Sequence, residues 1–184
     1  MGLTYSLLAV SLSLKPTVGV LQLQEPVREY YYSRESGTVL HEYALSEEDK
    51  VTKGQTLLTY LKTPEQTQRT IVSRTAGYLE YVNSELSEGR HIAAGEMLYK
   101  VKSNLVYGWY YIDTLDKKDL KAHSKLWVCP QRGTQWTFNI DAVKDDKVLV
   151  SSVVNAKDYN NLYELNQQEL VMYHSESACV KSVQ

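Results

Sequence analysis

The chain has 184 residues, 23% of them charged and 43% hydrophobic, a balance that excludes a disordered chain and leaves enough apolar surface for a core. Its formal net charge is −2 at pH 7, so no basic field is available for a phosphate backbone and nucleic-acid binding is excluded as a bulk electrostatic property. Aromatic usage is lopsided, with 15 Tyr and 3 Trp against one Phe; tyrosine suits half-buried strand surfaces, where the ring packs and the hydroxyl stays wet.

The first apolar stretch, Leu3 to Leu14, is about a dozen residues long, short of the roughly 20 needed to cross a bilayer. No Lys or Arg precedes it, so the charged start of a secretory signal is missing. The partial alternation from Leu8 to Leu14 predicts a strand, with an export or anchor segment as the alternative. Pro16 ends that run, and Val18 to Leu23 gives a second one. Val27 to Ser33 is the next expected strand and contains Tyr30, Tyr31 and Tyr32. Neighbouring strand residues point to opposite faces, so either both faces are covered there or a tyrosine marks a contact surface. All three are candidate interface residues.

Two longer stretches, Tyr32 to Leu61 and Val72 to Val101, repeat one pattern. Ser33-Arg34-Glu35-Ser36-Gly37 in the first matches Ser73-Arg74-Thr75-Ala76-Gly77 in the second, and Val51-Thr52-Lys53-Gly54-Gln55-Thr56-Leu57 matches Ile92-Ala93-Ala94-Gly95-Glu96-Met97-Leu98. The shift grows by one residue between the two matches, as a single insertion in the intervening polar stretch requires. Such a repeat is one supersecondary unit used twice, neither copy burying its apolar face alone. Gly54 and Gly95 fall at tight turns before a strand, where a positive φ costs glycine little, and Gly37 and Gly77 permit close backbone approach. Between the copies, Lys62 to Gln68 is polar, contains Pro64 and is expected to be a loop.

Beyond Val101 the pattern changes. Tyr107 to Ile112 is strand-like and adds Trp109 and Tyr110 to the candidate interface residues; Asp113 to His123 has helix-like spacing with Asp113 or Thr114 as N-cap. Lys125 to Cys129 is strand-like, and Trp136, Phe138 and Ile140 alternate with polar residues in the clearest half-buried strand of the chain. Asp145-Asp146 turns it into Lys147 to Val154, a hairpin. A polar stretch, Asn155 to Gln168, precedes two further expected strands, Leu170 to Tyr173 and Ala178 to Val183. Cys129 and Cys179 have no metal-ligand spacing; they fit two free, apolar-behaving thiols first and a disulfide second.

The double Gly-x-Val/Leu … Val/Ile-x-x-Gly-x-x-Leu pattern resembles the biotinyl/lipoyl-type barrel-sandwich hybrid, in which two similar halves interlock about a pseudo-twofold axis. The strands from Tyr107 through Lys125-Leu126-Trp127-Val128 to Asp145-Asp146 resemble the small β-barrel that follows such a hybrid in the HlyD-type membrane-fusion proteins, or periplasmic adaptors. The resemblance implies an all-β fold: a hybrid domain over residues 27–102 and a small β-barrel domain over 103–184, with 1–26 contributing its N-terminal strand. Two departures stand out. In carrier members of the fold the loop between halves presents a lysine for biotin or lipoate; Lys62 is the candidate here, but it is followed by Thr63-Pro64 without the usual Met or acidic flank. In adaptors that loop carries a long helical hairpin, and residues 62–70 are too few for one at about 1.5 Å per residue.

No constellation demands catalysis. His41, His91, His123 and His174 show neither helical i, i+4 pairing nor a zinc pattern. Ser151-Ser152 falls in an expected strand rather than a Gly-x-Ser-x-Gly elbow, the charge runs Glu47-Glu48-Asp49 and Lys117-Lys118-Asp119 fit solvated faces, and the glycines are spaced for strand turns rather than for a phosphate loop. No cofactor and no metal is expected. The expectation is a non-enzymatic adaptor or assembly protein acting through protein–protein contacts. It would be a homo-oligomer and would meet membrane-associated transport or secretion components in the cell envelope. A structural subunit of a viral, phage or secretion particle, and a carrier modified on Lys62, are the alternatives.

Overall fold

The computed structural model describes residues 15–112, 120–130 and 134–182. The expected strand Leu8 to Leu14 and most of the expected helix Asp113 to His123 lie outside them; of that helix's range, Leu120 is buried and His123 sits in a turn at φ 68°. The chain divides into two compact units. The first strand, β1 (Thr17–Leu23), belongs to a six-stranded sheet taken up after the hybrid unit.

The unit containing Leu23–Gly108 and Ser151–Asn166 holds β2 (Arg28–Tyr32), β3 (Gly37–Glu42), β4 (Lys50–Val51), β5 (Thr56–Lys62), β6 (Thr67–Val72), β7 (Gly77–Val82), β8 (His91–Ile92) and β9 (Met97–Ser103). They form two four-stranded sheets, in the orders β2-β9-β7-β4 and β6-β5-β3-β8. The sequence repeat is reproduced strand by strand. Gly37, Val39 and His41 of β3 face Lys62, Tyr60 and Thr59 of β5. Gly77, Leu79 and Tyr81 of β7 face Ser103, Val101 and Lys100 of β9, with a register break at the matching place.

The short strands are exchanged between the halves. β8 of the second copy pairs with β3 of the first, Gly37 opposite Ile92, and β4 of the first pairs with β7 of the second, Gly77 opposite Val51. Both glycines sit where a Cβ has no room: one on Gly37 would lie 2.3 Å from the Leu61 carbonyl oxygen and one on Gly77 2.1 Å from that of Lys102. The glycine turns are crossed too. Gly95 N–H donates to the Ser33 carbonyl at 2.8 Å and Gly54 N–H to that of Ser73 at 2.7 Å, with φ of +81° and +85° at the two glycines. Ser33 and Ser73 are both buried; their hydroxyls donate to the carbonyls of Ala93 and Thr75.

The repeat is longer than its residue identities suggest. Tyr31 and Tyr32 of β2 lie opposite Tyr99 and Met97 of β9, and Ile71 and Val72 of β6 lie opposite Leu58 and Thr56 of β5. β2 and β6 are therefore counterparts, Arg28–Tyr32 matching Gln68–Val72. The expected loop Lys62 to Gln68 is instead the turn of a β5–β6 hairpin, closed by Gln66 N–H donating to the Lys62 carbonyl at 2.8 Å. Between the sheets lies one apolar core that includes Val39, Leu57, Leu58, Leu79, Ile92, Leu98, Tyr99 and Val101. Tyr99 crosses from one half to the other, its hydroxyl donating to the Leu57 carbonyl at 2.9 Å. Burial and the nearby Glu42 charge push its pKa well above the usual tyrosine value.

The other unit takes in the chain up to Gln22, Trp109–Val150 and Gln167 onward. Its sheet joins β1 to β10 (Leu105–Ile112), β11 (Lys125–Val128), β12 (Trp136–Val143), β13 (Lys147–Val153) and β14 (Glu169–Met172) in the order β11-β12-β13-β10-β1-β14. Trp127 and Tyr173 exchange backbone hydrogen bonds of 2.9 and 2.8 Å, bringing the two ends of the sheet together into a nearly closed barrel. Leu126, Phe138, Ile140, Val148 and Val150 are buried within it, the inward half of each alternating pattern. The protein is thus all-β, consistent with a barrel-sandwich fold.

Two expectations for the tail are corrected. α1 (Tyr159–Tyr163) follows a 3-10 turn at Ala156–Asp158, inside the stretch read only as polar. The segment expected as a final strand, Ala178 to Val183, is instead largely α2 (Glu176–Lys181). The Ser175 side chain caps it by accepting from Ala178 N–H at 3.2 Å, and Glu176 in the first turn with Lys181 in the last suits the helix dipole. The free-thiol reading is also corrected: Cys129 and Cys179 form a disulfide, their Cα atoms 5.5 Å apart. Among the described residues no helix is long and apolar enough to cross a membrane.

Candidate functional site

β2 and β6 each have a strand partner on one side only among the described residues. Both line a groove of about 690 Å³ in the hybrid unit. Because they are counterparts, the groove straddles the pseudo-twofold: Tyr31 and Tyr32 on one wall match Ile71 and Val72 on the other, and Arg34 matches Arg74. Tyr31 points inward and is 6% exposed, whereas Tyr30 and Tyr32 are 44% and 49% exposed and stack at 6.5 Å between centroids. Strand alternation separates the three tyrosines in this way, turning two of them into surface.

The charges in the groove are not symmetric. Arg74 lies over the Tyr31 ring, 5.1 Å from its centroid, and pairs with Glu29 at 3.3 Å; its backbone N–H donates to the Tyr31 hydroxyl at 2.8 Å, which donates in turn to Glu29 at 2.6 Å. The Tyr31 hydroxyl and the Glu29 carboxylate hold the Arg74 guanidinium above its ordinary pKa. On the opposite wall, Arg69 pairs with Glu35 at 3.4 Å, and Glu35 is shared with Lys62 at 3.2 Å. Arg34 is exposed and has no ion-pair or hydrogen-bond partner among the described residues.

Lys62, the carrier candidate, stands at the end of β5 between Glu35 and Glu65, the latter at 3.3 Å. Hydrogen bonds that its ammonium donates to these two carboxylates hold its pKa above the ordinary lysine value, so it stays a paired cation rather than a presented nucleophile. Trp109 is half-buried on the barrel, with Lys144 and Lys147 over its ring at 5.2 and 4.9 Å. Tyr110 presents no surface: it is fully buried, and its hydroxyl donates to the carbonyls of Thr17 at 2.7 Å and Leu170 at 3.0 Å. Of the four glycines, Gly37 and Gly77 leave no room for a Cβ, and Gly54 and Gly95 have positive φ. His41 lies on the surface 3.9 Å from Glu88, and Ser151 and Ser152 are buried. No group of His, Cys, Asp and Glu able to hold a metal occurs among the described residues.

A smaller hollow of about 220 Å³ in the same unit is lined by Glu47, Glu48, Glu80, Lys102 and Tyr159 among others, of which Glu80, Lys102 and Tyr159 are engaged structurally. Burial works to raise the Glu80 pKa, but Lys100 at 2.8 Å and Arg28 at 3.1 Å hold the carboxyl below the usual range. Lys102 lies 3.9 Å from the centroid of the Tyr159 ring, and burial pushes the Tyr159 phenol up to about 12. The Tyr159 hydroxyl donates to the Ser103 carbonyl.

The larger groove therefore joins Tyr30, Tyr31 and Tyr32, expected as contact residues, to Arg34, Arg69 and Arg74, which were not. The one signal for Arg34 and Arg74 was the recurrence of Ser-Arg at Ser33-Arg34 and Ser73-Arg74, and Arg69 had none. No family model matches the chain, and no curated protein sequence matches it. Among solved structures it is similar to ZneB from Cupriavidus metallidurans, with 9% identity and a TM-score of 0.37 over 86% of this chain and 98% of that one. It is also similar to the membrane fusion protein Spr0693 from Streptococcus pneumoniae R6, with 15% identity and a TM-score of 0.39 over 86% of this chain and 97% of the other. Both are distant likenesses in fold.

Proposed function

We propose that the protein is a non-enzymatic adaptor or assembly module of the kind the HlyD-type resemblance implies, working through protein–protein contacts with transport or secretion components and with copies of itself. The observation that carries this reading is the groove on the pseudo-twofold, where both sheets of the hybrid end in open edge strands beneath an exposed tyrosine pair. Open strand edges are templates for another chain, and exposed tyrosines are typical of contact surfaces. In this reading residues 27–102 are the hybrid domain and 103–184, with 1–26 supplying the first strand, the barrel domain. Tyr30 and Tyr32 at the groove and Trp109 on the barrel are contact residues, which Tyr31 and Tyr110 support from inside. The Cys129–Cys179 disulfide suits an oxidising compartment and so favours the cell envelope. Lys62, held between two carboxylates, does not favour a prosthetic-group carrier, and no feature of either unit favours a particle subunit.

Size-exclusion chromatography with light scattering, run from micromolar to millimolar protein, tests the self-association. The expected outcome is a species heavier than one chain whose mass rises with concentration. A strictly monomeric protein across that range overturns the oligomeric part of the reading.

A further inference from the structure

The geometry points to a specific occupant of the groove: an extended acidic segment of a partner protein, adding as a strand to the open edge of β6 and seating a carboxylate at Arg34 and Arg69. This rests on the protein-contact reading above. The pseudo-twofold supplies the reason. On one wall Arg74 is answered by Glu29 and lies over Tyr31. The counterpart of Glu29 on the other wall is Arg69, and the counterpart of Tyr31 is Ile71. Arg34, the counterpart of Arg74, is therefore matched with a second guanidinium where its twin has a carboxylate, and it is left without a partner. The acid that Arg69 does have, Glu35, is shared with Lys62. Arg34, Arg69 and Lys62 thus meet two carboxylates, Glu35 and Glu65, the second of which pairs with Lys62, so one cation is left over in a chain whose net charge is −2. An incoming Asp or Glu would supply the missing carboxylate, bidentate to arginine where geometry allows.

The backbone decides for a peptide over a bare anion. β6 is solvent-exposed at every position but Ile71, which is half-buried, and it carries neither lysine nor proline, the residues with which edges are commonly protected. An added strand would pair its main chain with β6, while alternate side chains face the tyrosine wall of β2. A polysaccharide could satisfy the arginines but not the edge.

The test uses the full chain and a short fluorescein-labelled peptide of alternating Glu and Val, followed by anisotropy and by hydrogen exchange at Thr67–Val72. Saturable binding with slowed exchange over β6 is expected, with about tenfold weaker binding for Arg34→Glu and loss of binding when alternate peptide nitrogens are methylated. Arg34 has no partner to lose, so its variant keeps the fold, which circular dichroism checks; Arg69→Gln, which leaves Glu35 paired with Lys62, is a second variant expected to weaken binding in the same direction. Equal binding of a Lys-Val peptide, full binding of the methylated peptide, an acidic polysaccharide binding as tightly, or indifference to both arginine variants overturns the proposal. A protein that self-associates but ignores the acidic peptide sinks this inference and leaves the assembly reading standing. A monomer that binds the peptide supports this inference and overturns only the oligomeric part of that reading.

Discussion

β2 and β6 occupy matching places at the ends of the two sheets, yet one contributes Glu29 and three tyrosines where the other contributes Arg69, Thr70, Ile71 and Val72. Away from these edges the halves agree closely, with the same register, the same register break and the same exchange of a short strand. Conformity thus lies where the halves hold each other, and divergence where they face outward. The turns show an intermediate case. Gln55 in the first half accepts from Thr52 N–H at 3.0 Å, and its counterpart Glu96 accepts from Ala93 N–H at 2.9 Å but also binds Arg90 at 2.6 Å and Asn83 at 2.9 Å.

Substitution at the crossing glycines tests the equivalence hardest. Gly37→Ala and Gly77→Ala each drive a methyl into a backbone carbonyl, and each is expected to cost on the order of 3 kcal/mol, measured by urea unfolding. Markedly unequal losses would show that one half carries the fold and the other follows. A smaller effect is expected from Glu96→Gln, which copies the first half's residue into the second and weakens charge-assisted bonds worth about 1 kcal/mol. Burial works to raise the Glu96 pKa, but Ala93 N–H, Arg90 and Asn83 together hold it below the ordinary 4.5. The charged form is therefore favoured on folding: its contribution is complete above 4.5 and is lost as pH falls through the lower folded value. Urea midpoints of the two proteins should differ at neutral pH and converge in acid; a gap independent of pH would remove Glu96 as its cause. The smallest effect concerns Glu48, at φ 70°, whose counterpart is Gly89 at φ 82°. Glu48→Gly should stabilise by less than about 1 kcal/mol, relief of the left-handed backbone slightly exceeding the entropy glycine adds to the unfolded chain. Destabilisation in thermal unfolding would show that the Glu48 side chain contributes more than its backbone strain costs.

The interior of the repeat was legible because glycine and alternating apolar residues mark strands that must pack on one side. Gly37, Val39, Gly77 and Leu79 are such positions, and each is buried in the fold. β6 was not legible: exposed on both faces, Thr67-Gln68-Arg69-Thr70 carries no alternation, and Pro64 just before it signals a loop. α2 was missed because six residues are too few for a helical period, although Ser175 with Glu176 after it is a start signal. The cysteine pairing depends on α2 lying beside β11, which a spacing of 50 residues cannot reveal. Of the groove, the tyrosine wall could be anticipated from three consecutive tyrosines. The arginine wall could not, since Arg34 and Arg69 come together only once the hairpin folds back.

The exchange of β4 and β8 also bears on how the chain folds. Each short strand pairs with a long strand of the other copy, and each sheet draws strands from both, so a half emerging first from synthesis has no finished sheet to fall into. Its pairings are distant in sequence, and closing such loops costs entropy before the contacts reward it. The two copies must therefore cross the folding barrier together, and the unit behaves as one cooperative body although its sequence is written twice.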